Sequence, residues 1–392
     1  MRSFKSLCLL VGMASVSASV MAAESHKGED LTNRSFSGRD LSDAEFKNCN
    51  LENARFTQTV GAKASFEGSN GKGVNFSSMQ ISDANFKNTQ FPQADFRNSD
   101  LRNSSFKKAG LEGANFSNTV LLDAVFEGAI LTKANFIEAK FNEKAVFAKA
   151  NLRGANFKNN SLEGSDFSKA DLTDAVFNAV KFEGADFSGA TVVNVNLAES
   201  NLTGADLSKL NFTNANLQST ALVEANLKGA RFANSKFDKA EFQFTKVGGA
   251  SFERCTFTNT SFYRTDLGGV NFSGSTMTGS VFDNKSLEKA NFHGAQLERG
   301  KFTIDKMSKV DFSGANLKFA DFSGVQLFNC DFSGADLTNA RFDNAFITGC
   351  DFSGANLSTV FWDSDNLKKN IFSSDTRFPR SYTPIPSQMR AR

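Results

Sequence analysis

Histidine is almost missing from this chain of 392 residues, which holds 2, at positions 26 and 293. Hydrolytic triads usually take their base from His, and zinc sites draw on clustered Cys and His. His26 lies near the start of the chain. His293 directly follows Phe292 and should point to water. Neither stands near a candidate nucleophile, and both read as surface residues without a role. Proline is also scarce, at 4, which excludes long Pro-rich linkers except at the end of the chain. Tyr is 2 and Trp is 1, against 43 Phe. The fold therefore needs rings without polar handles.

Charge of one sign is lacking too. Lys and Arg number 44 and Asp and Glu 42. The opening stretch MRSFKSLCLLVGMASVSASVMAAES carries its basic residues, Arg2 and Lys5, before an apolar run that ends in small residues. That is the layout of a secretory signal peptide, cleaved after Ala22 or Ala23. Removing it takes the net charge of +2 to zero. A neutral mature chain has no bulk field to draw in nucleic acid or an acidic membrane. Its apolar run is too short and too Ser-rich for a span, and no later segment is a candidate. Four of the 5 cysteines remain, Cys49, Cys255, Cys330 and Cys350. For an exported chain of this size that is too few for disulfides to be the main support.

What is abundant is a period of five. Large apolar residues recur at Leu41, Phe46, Leu51 and Phe56, and again from Phe86 through Phe116 to Phe141. One extra residue then intervenes, and the count resumes from Phe147 to Phe372. A small residue sits two positions before each centre (Ala84, Ala94, Ser104, Ala114), Asn or Asp just before it, and often Gly two after it. Five matches neither the helical nor the strand period. It requires a chain that turns a corner every five residues. Four such sides make a square coil of twenty, and stacked coils hydrogen-bond as parallel strands about 4.8 Å apart.

The words ANFKN from Ala84, ANFSN from Ala114, ADLTD from Ala170 and ADLTN from Ala335 resemble those of the pentapeptide-repeat proteins, A(D/N)LXX. The resemblance covers roughly residues 31 to 372. It implies an all-β fold, a right-handed quadrilateral parallel β-helix of about 17 coils. The expected organisation is a signal peptide (1–23), an N-terminal cap (24–40), the repeat helix (41–372, irregular near 57–75 and 142–146) and a loose C-terminal tail (373–392). Glu29, Arg34 and Arg39 occupy small-residue positions, which marks the cap.

Residues twenty apart should stack. Phe36, Phe56, Phe76, Phe96, Phe116 and Phe136 form one column, and Phe46 to Phe126 form another two sides away. Around 192 to 227 Val and Leu replace the rings. Phe then returns on the other pair of sides, in a column from Phe212 to Phe372.

Departures from the pattern are the candidate sites. Lys285 and Asp305 both fall at the small inward position, one coil apart. Taken literally they form an inward ion pair, which is costly; a bulged corner would let both reach water. With His293 they outline a partner-binding edge. Cys330 and Cys350 share a column and are either stacked thiols or a disulfide, for which parallel side chains are poorly disposed. Asp166, Asp186 and Asp206 stack, as do Asp311, Asp331 and Asp351, in the repeated word DFSG. These acids either bond the backbone at corners or form a calcium ladder. GSNGKG, from Gly68, lacks phosphate-loop spacing, and Gly61 and Gly71 stand where centres belong. Arg377, Arg380, Arg390 and Arg392 give the tail a basic end.

These readings point to an exported, non-enzymatic binding or structural rod. It would carry no cofactor and no metal, and its partner would be an unknown protein rather than nucleic acid. It would have no membrane span, and a dimer through a helix end is an option. The alternative comes from the resemblance: some pentapeptide-repeat proteins mimic B-form DNA and act on DNA gyrase. Those are expected to be acidic and cytoplasmic, unlike this chain. An enzyme is the third class, and no nucleophile, base and orienting group converge in the sequence to support it.

Overall fold

A computed structural model describes residues 23–283, 286–362 and 369–380. The leader, Lys285, Arg390 and Arg392 thus lie outside the described residues, while Arg377 and Arg380 lie within them.

The five-residue word folds as a side and a corner. In the word around Leu41, the N–H of Ala44 donates to the Leu41 carbonyl (3.0 Å). Asp43, between them, has φ +56°. A reversal closed from the fourth residue to the first, with a left-handed third residue, is a type II turn. That third position recurs along the chain as Asn48, Asn53, Asn88, Asn98 and Asn118, all at φ between 53° and 59°, or as glycine. Asn and Gly tolerate this conformation best. The residue before each centre faces outward and pairs with its equivalent one coil on. Asp30 bridges Asn50, Ser35 bridges Arg55, Asp40 bridges Val60 and Glu45 bridges Ser65, all parallel. Among the described residues four ladders therefore run from coil to coil, and together they form a β-solenoid of about 17 turns. No helix occurs among the described residues.

Where the ladder is long enough to form named strands, these are β1 (Ser25–Lys27), β2 (Glu45–Lys47), β3 (Val60–Ala62), β4 (Gln80–Ser82), β5 (Val281–Phe282), β6 (Lys301–Phe302), β7 (Lys306–Ser308), β8 (Gln326–Phe328), β9 (Arg341–Phe342), β10 (Phe346–Thr348) and β11 (Phe361–Trp362). All pair in parallel at a register of twenty, as in Met307↔Leu327↔Ile347 across β7, β8 and β10.

Inside, the centres and the small residues form one continuous core. Phe rings stack along each column and meet edge-on across it. Phe96 and Phe116 lie 4.6 Å apart at 3°, whereas Phe106 and Phe116 lie 5.5 Å apart at 90°. The edge sets the positive rim of one ring against the negative face of the next. These stacks run from Phe36 to Phe187, stop, and resume at Phe212 on the other pair of sides. Between them Val192, Leu197, Leu202 and Leu207 fill the interior. Ser and Thr fit the small position by returning a hydrogen bond to the coil below: Thr119 Oγ1 donates to the Phe96 carbonyl (2.7 Å) and Ser275 Oγ to that of Phe252 (2.6 Å).

The insertion before Phe147 lengthens one coil to twenty-one, with Val125 bridging Val146 and Asn135 bridging Asn156. Phe141 is displaced to half-burial there. The stretch 57–75, expected to be irregular, keeps the register, since Val60 pairs with Gln80 and Asn70 with Gln90. Its departure is local. Gly61 has φ +138°, and a Cβ there would lie 2.6 Å from the Ser42 nitrogen. The missing side chain lets the coil sit flat on its neighbour. At the far end the ladder passes the expected boundary at 372: Asn356 bridges Arg377, and Phe378 packs edge-on against Phe372 at 5.0 Å. Residues 373–380 are thus part of the packed end rather than a loose tail. An aromatic side chain there covers the last rung.

Candidate functional site

The outer columns are built by the acids and amides that precede each centre. Asp311 Oδ1 accepts from the Ser313 N–H (2.8 Å), Asp331 from Ser333 (2.8 Å) and Asp351 from Ser353 (2.9 Å). Asp166, Asp186 and Asp206 do the same for Ser168, Ser188 and Ser208. Each carboxylate thus tethers its own corner. The hydrogen bonds from Ser208 hold the Asp206 carboxyl below its ordinary range, because they favour the charged form.

Of the partner-binding edge, Lys285 lies outside the described residues. Asp305 is exposed, and Ile304 turns inward in its place, 7% exposed. The inward reading of Asp305 fails because a neighbouring apolar side chain fills the site at no cost in desolvation. His293 is exposed, with Nδ1 2.9 Å from Ser313 Oγ one coil on and its N–H donating to Asn291 Oδ1. These bonds tie His293 to its own column, around the corner from Asp305.

Cys330 and Cys350 are stacked, buried thiols. The Cys330 N–H points to Cys350 Sγ (3.4 Å), and the Cys350 N–H donates to Asn370 Oδ1 (2.9 Å). The adjacent Cys330 thiol and burial push the Cys350 thiol up. Burial raises Cys255 to about 12. Thiols so disfavoured as thiolates are poor nucleophiles.

His26 was missed by sequence reasoning. It stands one coil before Phe46, at a centre position of β1, and its ring continues the Phe column, stacked on Phe46 at 5.3 Å and 20°. Nε2 lies 3.0 Å from Glu24 Oε1 and Nδ1 2.9 Å from Glu29 Oε2. Arg39 reaches Glu24 (2.9 Å) and covers the Phe36 ring at 5.2 Å. Burial opposes protonation of His26, but the two carboxylates outweigh it and its pKa is raised. Beside it, hydrogen bonds from Lys27 and then Lys47 hold the Glu45 carboxyl down to about 2. The charged ring and its acids give the first coil a polar lid. The signal for this was available, since residue 26 is twenty before Phe46.

Aromatic residues that face out were also missed. Among the described residues, the large apolar side chains exposed before residue 244 are Val60 and Ile130. After it come Phe244 (41% exposed), Phe319 (48%), Phe346 (49%) and Phe361 (55%). Cations cover several of these rings. Arg264 lies 6.0 Å from the Phe244 centroid and 5.1 Å from that of Tyr263. Arg299 lies over Phe319 (5.7 Å) and Lys306 over Phe328 (4.9 Å). Phe244, Arg264, Arg299 and Phe319 all occupy the left-handed corner position, at φ +57°, +52°, +58° and +58°. Bulky residues are costly in that conformation. A shallow cleft of about 360 Å³ opens beside Phe244, bordered by Lys228, Lys246, Gly248, Arg264 and Asp266.

No group of three or more His, Cys, Asp or Glu side chains stands at metal-binding geometry among the described residues, and no described helix is long and apolar enough to cross a membrane. What the surface offers is rows of side chains at a fixed spacing, with aromatic and cationic members in the later coils.

Family models agree with this repeat. A family model described as a pentapeptide repeat region matches residues 39–116, 111–187, 175–252 and 245–322, and one described as pentapeptide repeats (8 copies) matches 320–358. No curated protein sequence matches the chain. Among solved structures, QnrB1, described as a plasmid-mediated fluoroquinolone resistance protein, is 20% identical over 59% of this chain and 91% of its own, with a TM-score of 0.23. HetL, a pentapeptide repeat protein involved in heterocyst differentiation regulation from the cyanobacterium Nostoc, is 19% identical over 79% of this chain and 89% of its own (TM-score 0.14). A pentapeptide repeat protein from the Arabidopsis thaliana thylakoid lumen is 20% identical over 44% and 68% (TM-score 0.10).

Proposed function

Because this chain belongs to the pentapeptide-repeat family, we propose that it is an exported, non-enzymatic rod that serves as a protein-binding scaffold. Export rests on the layout of the first 23 residues. The binding role is carried by one observation: the interior is closed by packed side chains while the exterior presents ordered columns whose members change from coil to coil. A solenoid of this kind offers a long surface with little conformational entropy to lose on binding. The stacked aspartates tether corners, the four described cysteines are buried, and the histidines serve a lid and a surface column.

The gyrase reading asks for rows of acids in place of DNA phosphates. Here the column Asp166, Asp186, Asp206 passes to Asn226 and Lys246 in the same ladder, which favours a partner of mixed charge.

The test is cell fractionation with N-terminal sequencing, followed by cross-linking of the tagged protein in the compartment where it resides. A cut after Ala22 or Ala23 and a stoichiometric protein adduct are expected. An uncut cytoplasmic chain that alters gyrase supercoiling would replace this reading with the alternative. A rod that cross-links to nothing would end it.

A further inference from the structure

The rod is not bonded equally on all sides. Along the ladder Asp166, Asp186, Asp206, Asn226, Lys246, Asp266, a closed step carries two backbone bonds. The Phe167 N–H donates to the Asp186 carbonyl (2.8 Å), and the Asp186 N–H to that of Ser165 (2.9 Å). At the next step Asp186 still faces Asp206 in register. Yet among the described residues neither the Phe187 nor the Asp206 N–H reaches an acceptor in hydrogen-bond geometry. Around the corner the Val192 and Asn211 N–H groups lack acceptors too, and Thr191 and Asn211 form no bridge. The other two sides of the same coils stay closed. There Leu197 donates to Asn216 (2.8 Å), Asn216 to Val195 (2.9 Å) and Leu202 to Ala221 (2.8 Å). Two adjacent sides open and two opposite sides bonded make a wedge. Its mouth is a cleft of about 400 Å³ bordered by Phe187, Ser188, Gly189, Ser208, Lys209 and Leu210. Beyond it the ladder closes again, with Leu207 donating to Asn226 (2.8 Å) and Leu227 to Lys246 (2.7 Å). It opens once more between Lys246 and Asp266, at the cleft beside Phe244. The Val247 and Asp266 N–H groups are likewise without acceptors among the described residues.

Leu210 accounts for the first opening. It occupies the small inward position two before Phe212, which Ala190 and Ala230 fill in the coils on either side. A branched side chain of that size overfills a site built for a methyl group and holds the coils apart. The turn bond from the Leu210 N–H to the Leu207 carbonyl lengthens to 3.5 Å, against 2.9 Å for Ala215 to Phe212. Ala190 and Leu210 are 8% and 7% exposed, where Ala170 and Ala230 are 1% and 0%. Ring stacking also stops at this step, since Phe167 stacks on Phe187 and Leu207 follows. Like charge is not the cause, because Asp166 and Asp186 stand across a bonded step. At the second opening Phe262 lies 35° off Phe242, so parallel stacking is interrupted there as well.

We propose that these two seams are joints. The rod bends by opening them, with Leu210 as the wedge of the first, and the coils between them move as one block. Both mouths lie on one ladder, so their openings add and the rod bows with that side convex. Few bonds hold each mouth, which places the joints at the low-stability end of the fold. A partner can then select among curvatures of one rod. This goes beyond the scaffold reading and does not depend on it.

The experiment is hydrogen exchange on the full mature chain, resolved by residue. The Phe187, Gly189 and Val192 amides should exchange about tenfold faster than those of Phe167, Lys169 and Leu172, their equivalents one coil earlier. Leu210→Ala should bring the first set to the rate of the second and leave Val247 unchanged. It should also leave the melting temperature unchanged or higher, whereas Leu→Ala in a well-packed core lowers it. Ser188→Cys/Ser208→Cys spans the mouth, and its oxidation should slow the same amides as Leu210→Ala does. Bending is read from spin labels at Ser168→Cys/Lys228→Cys, three steps that cross the first joint. Labels at Ser77→Cys/Ile137→Cys, across three bonded steps, give the reference, and the buried native thiols stay unlabelled. The distance distribution across the joint should be at least about twofold broader than the reference and should narrow in Leu210→Ala. Equal exchange in the two sets of amides, or equal widths for the two label pairs, would overturn the proposal. So would a Leu210→Ala chain with a lowered melting temperature and unchanged exchange. Any of these results leaves the scaffold reading standing.

Discussion

The coils from Ser25 to Phe187 and those from Phe212 to Phe378 share one ladder and one interior logic, yet they present different exteriors. In both, rings stack at about 5 Å along two opposite columns. The ring-bearing sides rotate by a quarter turn between them, through the aliphatic coils at Val192 to Leu207. Outside, the early corners are dominated by Asn and Gly, whereas the later ones include Phe244, Arg264, Arg299 and Phe319 in the same left-handed position. Stability is set by inward residues that both regions have. Many outward residues are free to diverge because the ladder itself is made by backbone hydrogen bonds. The later coils accept strain at their corners.

The comparison can be broken most directly from inside. Phe106→Ala in the early stack and Phe312→Ala in the late one should each cost about 3–5 kcal/mol in chemical denaturation, since each ring stacks with two others in its column. Unequal losses would show that the regions are not one scaffold. Gly61→Ala tests the early region alone. The φ of +138° and the Cβ clash with Ser42 should cost about 1–3 kcal/mol, read as a lowered melting temperature. Asp331→Ala in the late ladder should cost about 1 kcal/mol by freeing the Ser333 N–H, and Asp331→Asn, which keeps an acceptor, should cost less. A drop for Asp331→Asn as large as for Asp331→Ala would mean the charge matters more than the corner.

The first coils carry two groups that respond to pH. His26 is protonated more readily in the folded chain than at its ordinary 6.5. Its contribution is therefore full below 6.5 and is lost as pH rises through the raised value. Glu45 works in the opposite sense, contributing above 4.5 and losing that as pH falls toward about 2. Once the intrinsic rise of amide exchange with pH is divided out, the protection of β1 should fall between about pH 6 and 8 in the parent chain and stay constant in His26→Gln. The smallest effect belongs to Cys330 and Cys350. Thiol titration of the unfolded protein should find both free, and reductant should leave the melting temperature unmoved.

Much of this molecule is written in its period. A five-residue word with a small residue, an Asx and a large apolar centre folds locally into a side and a turn. Repetition then dictates the coil, the four ladders and the Phe columns, because every inward residue meets a copy of itself twenty positions away. The inserted residue before Phe147 was legible for the same reason. What escaped the sequence depends on neighbours that the period does not specify. Asp305 reached water because Ile304, one position earlier, filled the core. His26 became a lid because Glu24, Glu29 and Phe46 surround it in space. Outward rings at Phe244, Phe319 and Phe346 are scattered in sequence, and stacking placed a cation or another ring beside each. The interior was determined by the sequence because burial repeats with the chain. The exterior was decided by the tertiary structure, which sets residues from different coils and different corners side by side.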